Sequence, residues 1–147
     1  MTVTQQCSYR FLRKIDTELS SLQRFYLSVG YRNRISADDK AIVALIGVSI
    51  IGVARLCQEE GVQVLRGVQV ELNHQRNGVG AGMLRVIVQH MRSTCYCIPY
   101  AHLKGFYSTA GFEEILAVNA PKFLQDRLAK NRRANHGKQY IIMARFY

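Results

Sequence analysis

The stretch that decides the fold is "QRNGVGAGM", residues 75–83, in which three glycines precede an apolar helical pattern. Glycine in place of alanine weakens a helix by roughly 1 kcal/mol at each site. Residues 62–72 before it have the character of a strand, and residues 83–92 after it carry an apolar helical face. A strand, a glycine turn and a helix N-terminus together present unpaired backbone N–H groups and the positive end of the helix dipole. The pattern therefore predicts a place where an anion such as a phosphate approaches the main chain.

The spacing of these glycines excludes two common phosphate-binding motifs. A Walker A P-loop requires Gly-Lys-Ser/Thr, but Gly82 is followed by Met83 and Leu84. A Rossmann GxGxxG motif also fails, because "GVGAGM" lacks the third glycine at its place and lies past the middle of the chain. The sequence thus favours neither a P-loop NTPase nor a dinucleotide-binding Rossmann domain.

Length and composition narrow the class of protein. With 147 residues, 48% of them hydrophobic, the chain is long enough for one domain with a core, and we expect a single domain over 1–147. Twenty Lys and Arg against ten Asp and Glu give a net charge of +10, which favours nucleic acid, an anionic membrane or a phosphate-rich cofactor as partner. The N-terminal residues lack the apolar core of a signal peptide, and the longest uncharged run, "AIVALIGVSIIGVA", is shorter than the roughly 18 residues that span a bilayer. We therefore expect a cytoplasmic protein with no membrane partner, either a monomer or a homodimer.

The four cysteines do not form paired CxxC clusters, so we expect reduced structural thiols and no metal site.

The remaining pattern alternates strands and helices. The predicted strands cover 7–15, two hairpin strands within 41–57 separated near Gly47, 62–72, 94–100, 112–118 and 139–146. The predicted helices cover 17–29 with Asp16 or Thr17 as N-cap, 102–111, and Pro121 to about Arg132. Alternation within 62–72 places Val62, Val64, Val68, Val70 and Leu72 on one face and Gln63, Gln69 and Glu71 on the other.

Two motifs together resemble the GNAT N-acetyltransferase family. Gln75, Gly78 and Gly80 match its Gln/Arg-x-x-Gly-x-Gly/Ala signature, and "FYSTAGF" at 106–112 matches a second landmark in which a tyrosine helix runs into a strand. The similarity covers roughly 41–112, about half of the chain. It implies a mixed α/β domain with a central, mostly antiparallel twisted sheet flanked by helices. It also implies an acetyl-CoA-dependent N-acetyltransferase, in which a primary amine of a small molecule or protein attacks the thioester directly.

The resemblance assigns roles to individual residues. The strand from Val68 to Leu72, especially Val70 and Leu72, would bind the pantetheine arm through its backbone. Tyr107 would protonate the departing CoA thiolate. The family's Asn-x-x-Ala before this tyrosine is replaced by Tyr100-Ala-His-Leu, which puts one pantetheine contact in doubt. The residues implied to hold the pyrophosphate are Gln75, Arg76, Asn77, Gly78, Val79, Gly80, Ala81 and Gly82, and Tyr100 and Lys104 are further candidate cofactor contacts.

Other candidates are less constrained. Glu71 is the candidate general base, with a solvated carboxylate at a strand end as the alternative, and His74 and His102 are weaker candidates. Candidate substrate contacts are Tyr26, Tyr31 and Arg32. Arg32 and Arg34 beside Tyr31 suit an acidic substrate, and a solvated loop face is the favoured alternative for these two arginines. Lys130, Arg132, Arg133 and Lys138 around His136 suit nucleic acid, but without interleaved aromatic residues they favour a solvated helix end.

Two alternative functions stay open. One is a non-catalytic CoA-binding or regulatory module on the same fold, and the other is an RNA-directed acetyltransferase or RNA-binding protein, which the net charge of +10 suggests.

Overall fold

The structure is a computed structural model and describes residues 6–135 and 137–147. It contains a seven-stranded sheet with the strand order β1-β2-β3-β4-β5-β7-β6. The strands are β1 (Cys7–Leu12), β2 (Lys40–Ile46), β3 (Ser49–Glu59), β4 (Val62–Val70), β5 (Cys95–Cys97), β6 (Glu113–Glu114) and β7 (Met143–Arg145). The helices are α1 (Leu19–Ser28), α2 (Val79–Ile87), α3 (Lys104–Ser108) and α4 (Lys122–Ala134). Neighbouring strands are antiparallel except for β4 and β5, so the predicted fold class is confirmed.

Helices cover both faces of the sheet. On one face α2 packs against alternate residues of β2, such as Ile42 and Ala44, and the intervening residues Ala41 and Val43 pack against α1 on the other face. Leu124 and Leu128 of α4 cover Val64 and Ile142 in a third cluster. Because alternate residues of a strand point to opposite faces, these clusters explain why β2 is apolar at every position from Ala41 to Ile46.

Several predicted boundaries are corrected by the structure. The strand predicted over 62–72 ends at Val70, because residues 72–74 form a short 3-10 turn in which the Leu72 side chain is 78% exposed. Helix α1 begins at Leu19 with Glu18 as its N-cap, so the predicted caps Asp16 and Thr17 are wrong. The strand predicted over 112–118 is reduced to two residues, since a turn at 117–119 interrupts it.

A bulge in β4 also corrects the predicted faces of that strand. Val53 pairs with Gln69 whereas Arg55 pairs with Arg66, so β4 contains an extra residue near Gly67, whose φ is +61°. An extra residue reverses the alternation of faces beyond it. Val64 consequently packs with α4, while Val68 and Val70 pack against the α2 cluster, and the prediction of one shared face is wrong.

Gln63 is likewise buried rather than on a polar face. Its Oε1 accepts hydrogen bonds from the backbone N–H groups of Arg92 and Ser93, at 3.0 and 3.2 Å. A buried amide oxygen that accepts from two backbone N–H groups anchors the segment after α2 to the sheet.

In the described ranges, every helix is too short or too polar to cross a membrane. Within the same residues, His, Cys, Asp and Glu side chains form no group of three or more that could hold a metal ion.

Candidate functional site

The candidate site lies where β4 and β5 separate. The two parallel strands pair only at Gln63 with Cys95 and Val64 with Tyr96, although β4 continues to Val70. Beyond Val64 the edge of β4 therefore faces a gap instead of a neighbouring strand. A cavity of about 830 Å³ occupies this gap and is lined by both strands, by α4 and by the segment after α1. This volume falls in the range of small-molecule sites, and the free strand edge offers backbone hydrogen-bonding groups to a ligand.

A buried polar network fixes the wall of this cavity. The Tyr26 hydroxyl donates to the carbonyl oxygen of Gly67 at the bulge, at 2.8 Å. Arg55, whose residue is 1% exposed, donates to the hydroxyls of Tyr26 (3.3 Å) and Tyr31 (2.9 Å) and to the carboxylate of Asp39 (2.8 Å). Because a buried guanidinium needs such partners, this network holds the bulge in one position. Sequence reasoning missed it, although an arginine inside the apolar stretch "IIGVARLC" is a signal for a buried ion pair.

The glycine turn presents free backbone N–H groups at the start of α2. Gly78 is the N-cap with φ of +79°, a left-handed conformation that glycine adopts without steric cost. The N–H of Gly82 donates to the Gly78 carbonyl at 2.9 Å, so the N–H groups of Val79, Gly80 and Ala81 precede the first bond within the helix. A Cβ built on Gly78 would meet no atom within 4 Å. This helix end therefore has the free donors and the open space that an anion requires.

The other two glycines allow close packing. A Cβ on Gly80 would lie 3.0 Å from Cζ of Phe106, and a Cβ on Gly82 would clash with the phenol of Tyr9 in β1. Since the Gly82 N–H is also bonded within the helix, we remove it from the predicted anion site. The cost of glycine in α2 is thus explained at these positions by contacts of the helix with its neighbours.

Tyr107 lines the cavity from α3. The residue is 7% exposed, and its ring makes edge contacts with Phe106 and Phe112, with centroid distances of 5.0 and 6.1 Å. Burial, and to a smaller extent the neighbouring Cys97 thiol, raises the pKa of the Tyr107 phenol above its ordinary value. The phenol consequently keeps its proton at neutral and moderately alkaline pH, which is the state that a proton donor needs.

Comparisons with solved structures identify this architecture. The chain is similar to Escherichia coli ElaA, with a TM-score of 0.71 and 17% identity over 95% of this chain and 99% of that one. It is similar to an acetyltransferase of the GNAT family from Staphylococcus aureus Mu50, with a TM-score of 0.59 and 14% identity over 95% and 99% of the two chains. This chain has the GNAT fold.

A third GNAT-fold neighbour is longer than this chain. It is the N-acetylglutamate synthase of Neisseria gonorrhoeae complexed with coenzyme A and N-acetyl-glutamate, with a TM-score of 0.67 and 13% identity. The match covers 95% of this chain but only 35% of the synthase. No family model and no curated protein matches this sequence. The resemblance seen in the sequence is therefore confirmed at the level of the GNAT fold.

Two predicted cofactor contacts, Gln75 in the loop before α2 and Lys104 in α3, have partners within the protein. The Gln75 side chain donates to the carbonyl of Val70 at 3.0 Å and so ties the loop to the end of β4. Lys104 lies 3.0 Å from the Glu114 carboxylate. Arg76 and Asn77 are exposed beside the start of α2, and Arg76 has an unusual φ of +67°. All four of these residues therefore lie in or near surface segments. Among them, only Arg76 and Asn77 adjoin the free N–H groups at the start of α2.

The predicted base and the neighbouring histidines lie outside the cavity wall. The Glu71 side chain is 43% exposed, and its Oε1 is 4.0 Å from Nε2 of His74. Neither residue lines the cavity, and His102, which stacks on Tyr100, does not line it either. The structure therefore does not place these three residues along the cavity.

The predicted substrate contacts divide into two groups. Tyr31 and Arg32 line the cavity, whereas Tyr26 is buried behind it with its hydroxyl bonded to Gly67. Tyr100 also lines the cavity, and its ring packs 4.8 Å from that of Tyr140. Tyr26 therefore holds the Gly67 carbonyl in the cavity wall and does not itself line the cavity.

The predicted basic cluster is also divided. Lys130 lines the cavity, Arg132 donates to the Tyr140 carbonyl at 2.9 Å, and Arg133 is exposed to solvent. The ammonium of Lys138 lies 4.9 Å from the centre of the Tyr100 ring. His136 lies outside the described residues. Sequence reasoning missed the contribution of Arg127 and Lys130 to the cavity, because a charged helix such as α4 resembles a solvated face, and it gave Arg66 of β4 no role.

Proposed function

We propose that this protein is an acetyl-CoA-dependent N-acetyltransferase that transfers the acetyl group to an amine by direct attack on the thioester. The observation that carries the proposal is the gap between β4 and β5, where a free strand edge and the buried phenol of Tyr107 border one cavity. The free N–H groups at the start of α2 adjoin the same end of β4 through the bond from Gln75 to Val70. Coenzyme A in the N. gonorrhoeae synthase, a GNAT-fold neighbour, supports the choice of cosubstrate.

The residues present fit the cosubstrate. The N–H groups of Val79, Gly80 and Ala81 would bind its pyrophosphate, since the space in front of Gly78 is open. The backbone of β4 from Val68 to Val70 would bind the amide-containing arm. Leu72 is left out of this assignment, because its side chain is exposed in a turn beyond the end of the strand. Acetyl-CoA would supply an acetyl group already activated as a thioester.

The chain's own groups would then assist the transfer. The amine nitrogen forms a bond to the carbonyl carbon while the bond from that carbon to sulfur breaks. Backbone N–H groups on the free edge of β4 would stabilise the negative charge that develops on the carbonyl oxygen. Tyr107 would donate its proton to the departing thiolate, and the amine proton would pass to solvent. We assign no step to Glu71, because it does not line the cavity.

The experiment measures coenzyme A binding by calorimetry and thiol release with a broad panel of amines. We expect wild type to bind coenzyme A and to release thiol only when acetyl-CoA and a suitable amine are both present. Tyr107→Phe keeps the ring packing and loses the acid, so kcat should fall by about 10²-fold, the low end of the range for general-acid catalysis. Tyr147→Phe, at an exposed tyrosine, is the matched control and should behave as wild type.

Three results would contradict the proposal in different ways. Absence of coenzyme A binding at millimolar concentration would reject the cosubstrate. Tight binding without thiol release from any amine would favour a non-catalytic module. A Tyr107→Phe protein with wild-type turnover, measured where chemistry limits the rate, would remove this residue from the mechanism.

A further inference from the structure

The cavity beside Tyr107 is strongly cationic. Four basic side chains line it, and Asp126 is the one carboxylate among its lining residues in the described part of the chain. The basic residues are Arg32, Arg66, Arg127 and Lys130. Asp126 is already paired, since one of its oxygens lies 2.8 Å from the Lys122 ammonium. The lining therefore carries an excess of positive charge that its own carboxylate does not neutralise.

Two of the four cations are held in place by a single carboxylate. Arg127 binds Glu59 through both terminal nitrogens, each at 3.0 Å, and Arg66 approaches the same carboxylate at 3.3 Å. The Arg127 guanidinium also lies over the ring of Phe123, at 5.5 Å. Two guanidinium groups on one carboxylate leave one net positive charge in a fixed position.

The other two cations are available to a ligand. Within the described residues, no carboxylate oxygen lies within 4 Å of the charged groups of Arg32 or Lys130. Amide side chains of Asn33, Asn131 and Asn135 line the same cavity and add neutral hydrogen-bonding groups. Unpaired cations that share a concave surface attract an anion and repel a second cation.

These charges do not belong to the proposed pyrophosphate site. No residue of the glycine turn from 75 to 82 lines the cavity, and the proposed phosphate contacts are the backbone N–H groups of α2. The cationic wall comes instead from α4 and from the segment after α1. The proposed pyrophosphate contacts therefore do not account for this wall.

Resting on the proposed acetyl transfer, we infer that the acceptor is a small amine that also carries a carboxylate or a phosphate. Arg32 and Lys130 bind this anionic group, while the amine of the same molecule reaches the gap beside Tyr107. The volume of about 830 Å³ suits a small molecule. A polyamine or a lysine-rich peptide is disfavoured, because its additional positive charges meet the cationic wall.

The experiment compares amines that differ only in their anionic group. Glutamate is compared with its diamide, and phosphoethanolamine with ethanolamine, while spermidine represents the polycations. We expect kcat/KM to be at least about tenfold higher for glutamate or for phosphoethanolamine than for the neutral amine of the same pair. One charge-assisted hydrogen bond is sufficient for a difference of this size. The two anionic amines distinguish a carboxylate from a phosphate.

Variants of the wall test the binding residues directly. Arg32→Gln and Lys130→Gln should each raise KM for the preferred anionic amine about tenfold, with kcat and the Kd of coenzyme A unchanged. Arg133→Gln, an exposed arginine on the same helix as Lys130, is the control and should leave all three constants unchanged. Binding of the same amines is also measured by calorimetry without acetyl-CoA, so that recognition has a readout besides turnover.

The outcomes separate this inference from the proposed function. Thiol release that is equal for both members of each pair, or fastest with spermidine, would overturn the inference and leave the acetyltransferase standing. Anionic amines that bind to wild type but not to Arg32→Gln, without any thiol release, would support the anion site and refute the transferase. If neither anionic amine binds, or if RNA binds and Lys130→Gln abolishes that binding, the inference is wrong.

Discussion

Replacing the buried arginine of β3 should destabilise the fold strongly. Arg55→Met leaves the Asp39 carboxylate buried without its cation and removes donors from the hydroxyls of Tyr26 and Tyr31. Breaking a buried ion pair by removing one partner costs about 3–5 kcal/mol, which is a large share of the roughly 5–15 kcal/mol that stabilises a typical domain. For a chain of this length the melting temperature should fall by about 10–15 °C.

Urea unfolding followed by circular dichroism measures this loss, and a double-mutant cycle identifies its cause. Asp39→Asn removes the charge that Arg55 pairs with, so Arg55→Met combined with Asp39→Asn should cost at least about 1 kcal/mol less than the sum of the single variants. Arg10→Met, at an exposed arginine 3.7 Å from Glu18, is the control and should change stability by less than about 0.5 kcal/mol. A loss below about 1 kcal/mol for Arg55→Met, or strictly additive single variants, would refute the reasoning.

Three further measurements probe the loop, the packing and the buried acids. Gly78→Ala and its control Gly47→Ala each place alanine at a positive φ, which costs roughly 1 kcal/mol of stability. Gly78→Ala should in addition weaken coenzyme A binding about tenfold, because only its Cβ enters the proposed anion site. Equal affinities of the two variants for coenzyme A would exclude that site. Gly82→Ala should cost about 1–3 kcal/mol in urea unfolding, since its Cβ clashes with a β1 tyrosine, and unchanged stability would show that the ring moves aside freely. Burial raises the pKa of the Cys95 thiol to about 12 and also raises the pKa of the Tyr26 phenol above its ordinary value, so the unfolded state releases these protons at lower pH than the folded state does. The urea midpoint should therefore fall as the pH rises above about 8.5, the ordinary thiol value, and a constant midpoint up to pH 10.5 would contradict this.

The glycine turn and the strand periodicity predicted the secondary-structure elements because both are local properties, whereas the mostly antiparallel sheet was implied by the resemblance of two motifs to the GNAT family. The order of strands and helices follows from hydrophobic period and turn residues, which each segment carries within itself. The reversal of faces in β4 could not be predicted from alternation, because one extra residue at Gly67 changes the register without changing composition. The burial of Gln63 escaped prediction for a related reason, since its partners Arg92 and Ser93 belong to a segment 29 and 30 residues away.

The candidate site was predictable only where a motif marks it. Tyr107 and the loop before α2 belong to recognisable motifs, and both border the gap between β4 and β5 or adjoin its strand. The cationic wall has no motif, because Arg127 lies 68 residues from the Glu59 that orients it. In the sequence such an arginine is indistinguishable from the exposed charges of α4, and the folded topology alone brings it to the cavity.

Several places where the sequence departs from local preference lie close to β4 or to Tyr107. An arginine in the apolar β3, a glycine inside β4 and glycines in the first turn of α2 are all unfavourable by propensity. Arg55 orients Tyr26, Tyr26 holds the Gly67 carbonyl, and Gly80 lets α2 approach Phe106 next to Tyr107. The cost of Arg55 and Gly67 is therefore explained by the bulge that they hold in the cavity wall, and the cost of Gly80 by the packing of α2 against the residue next to Tyr107.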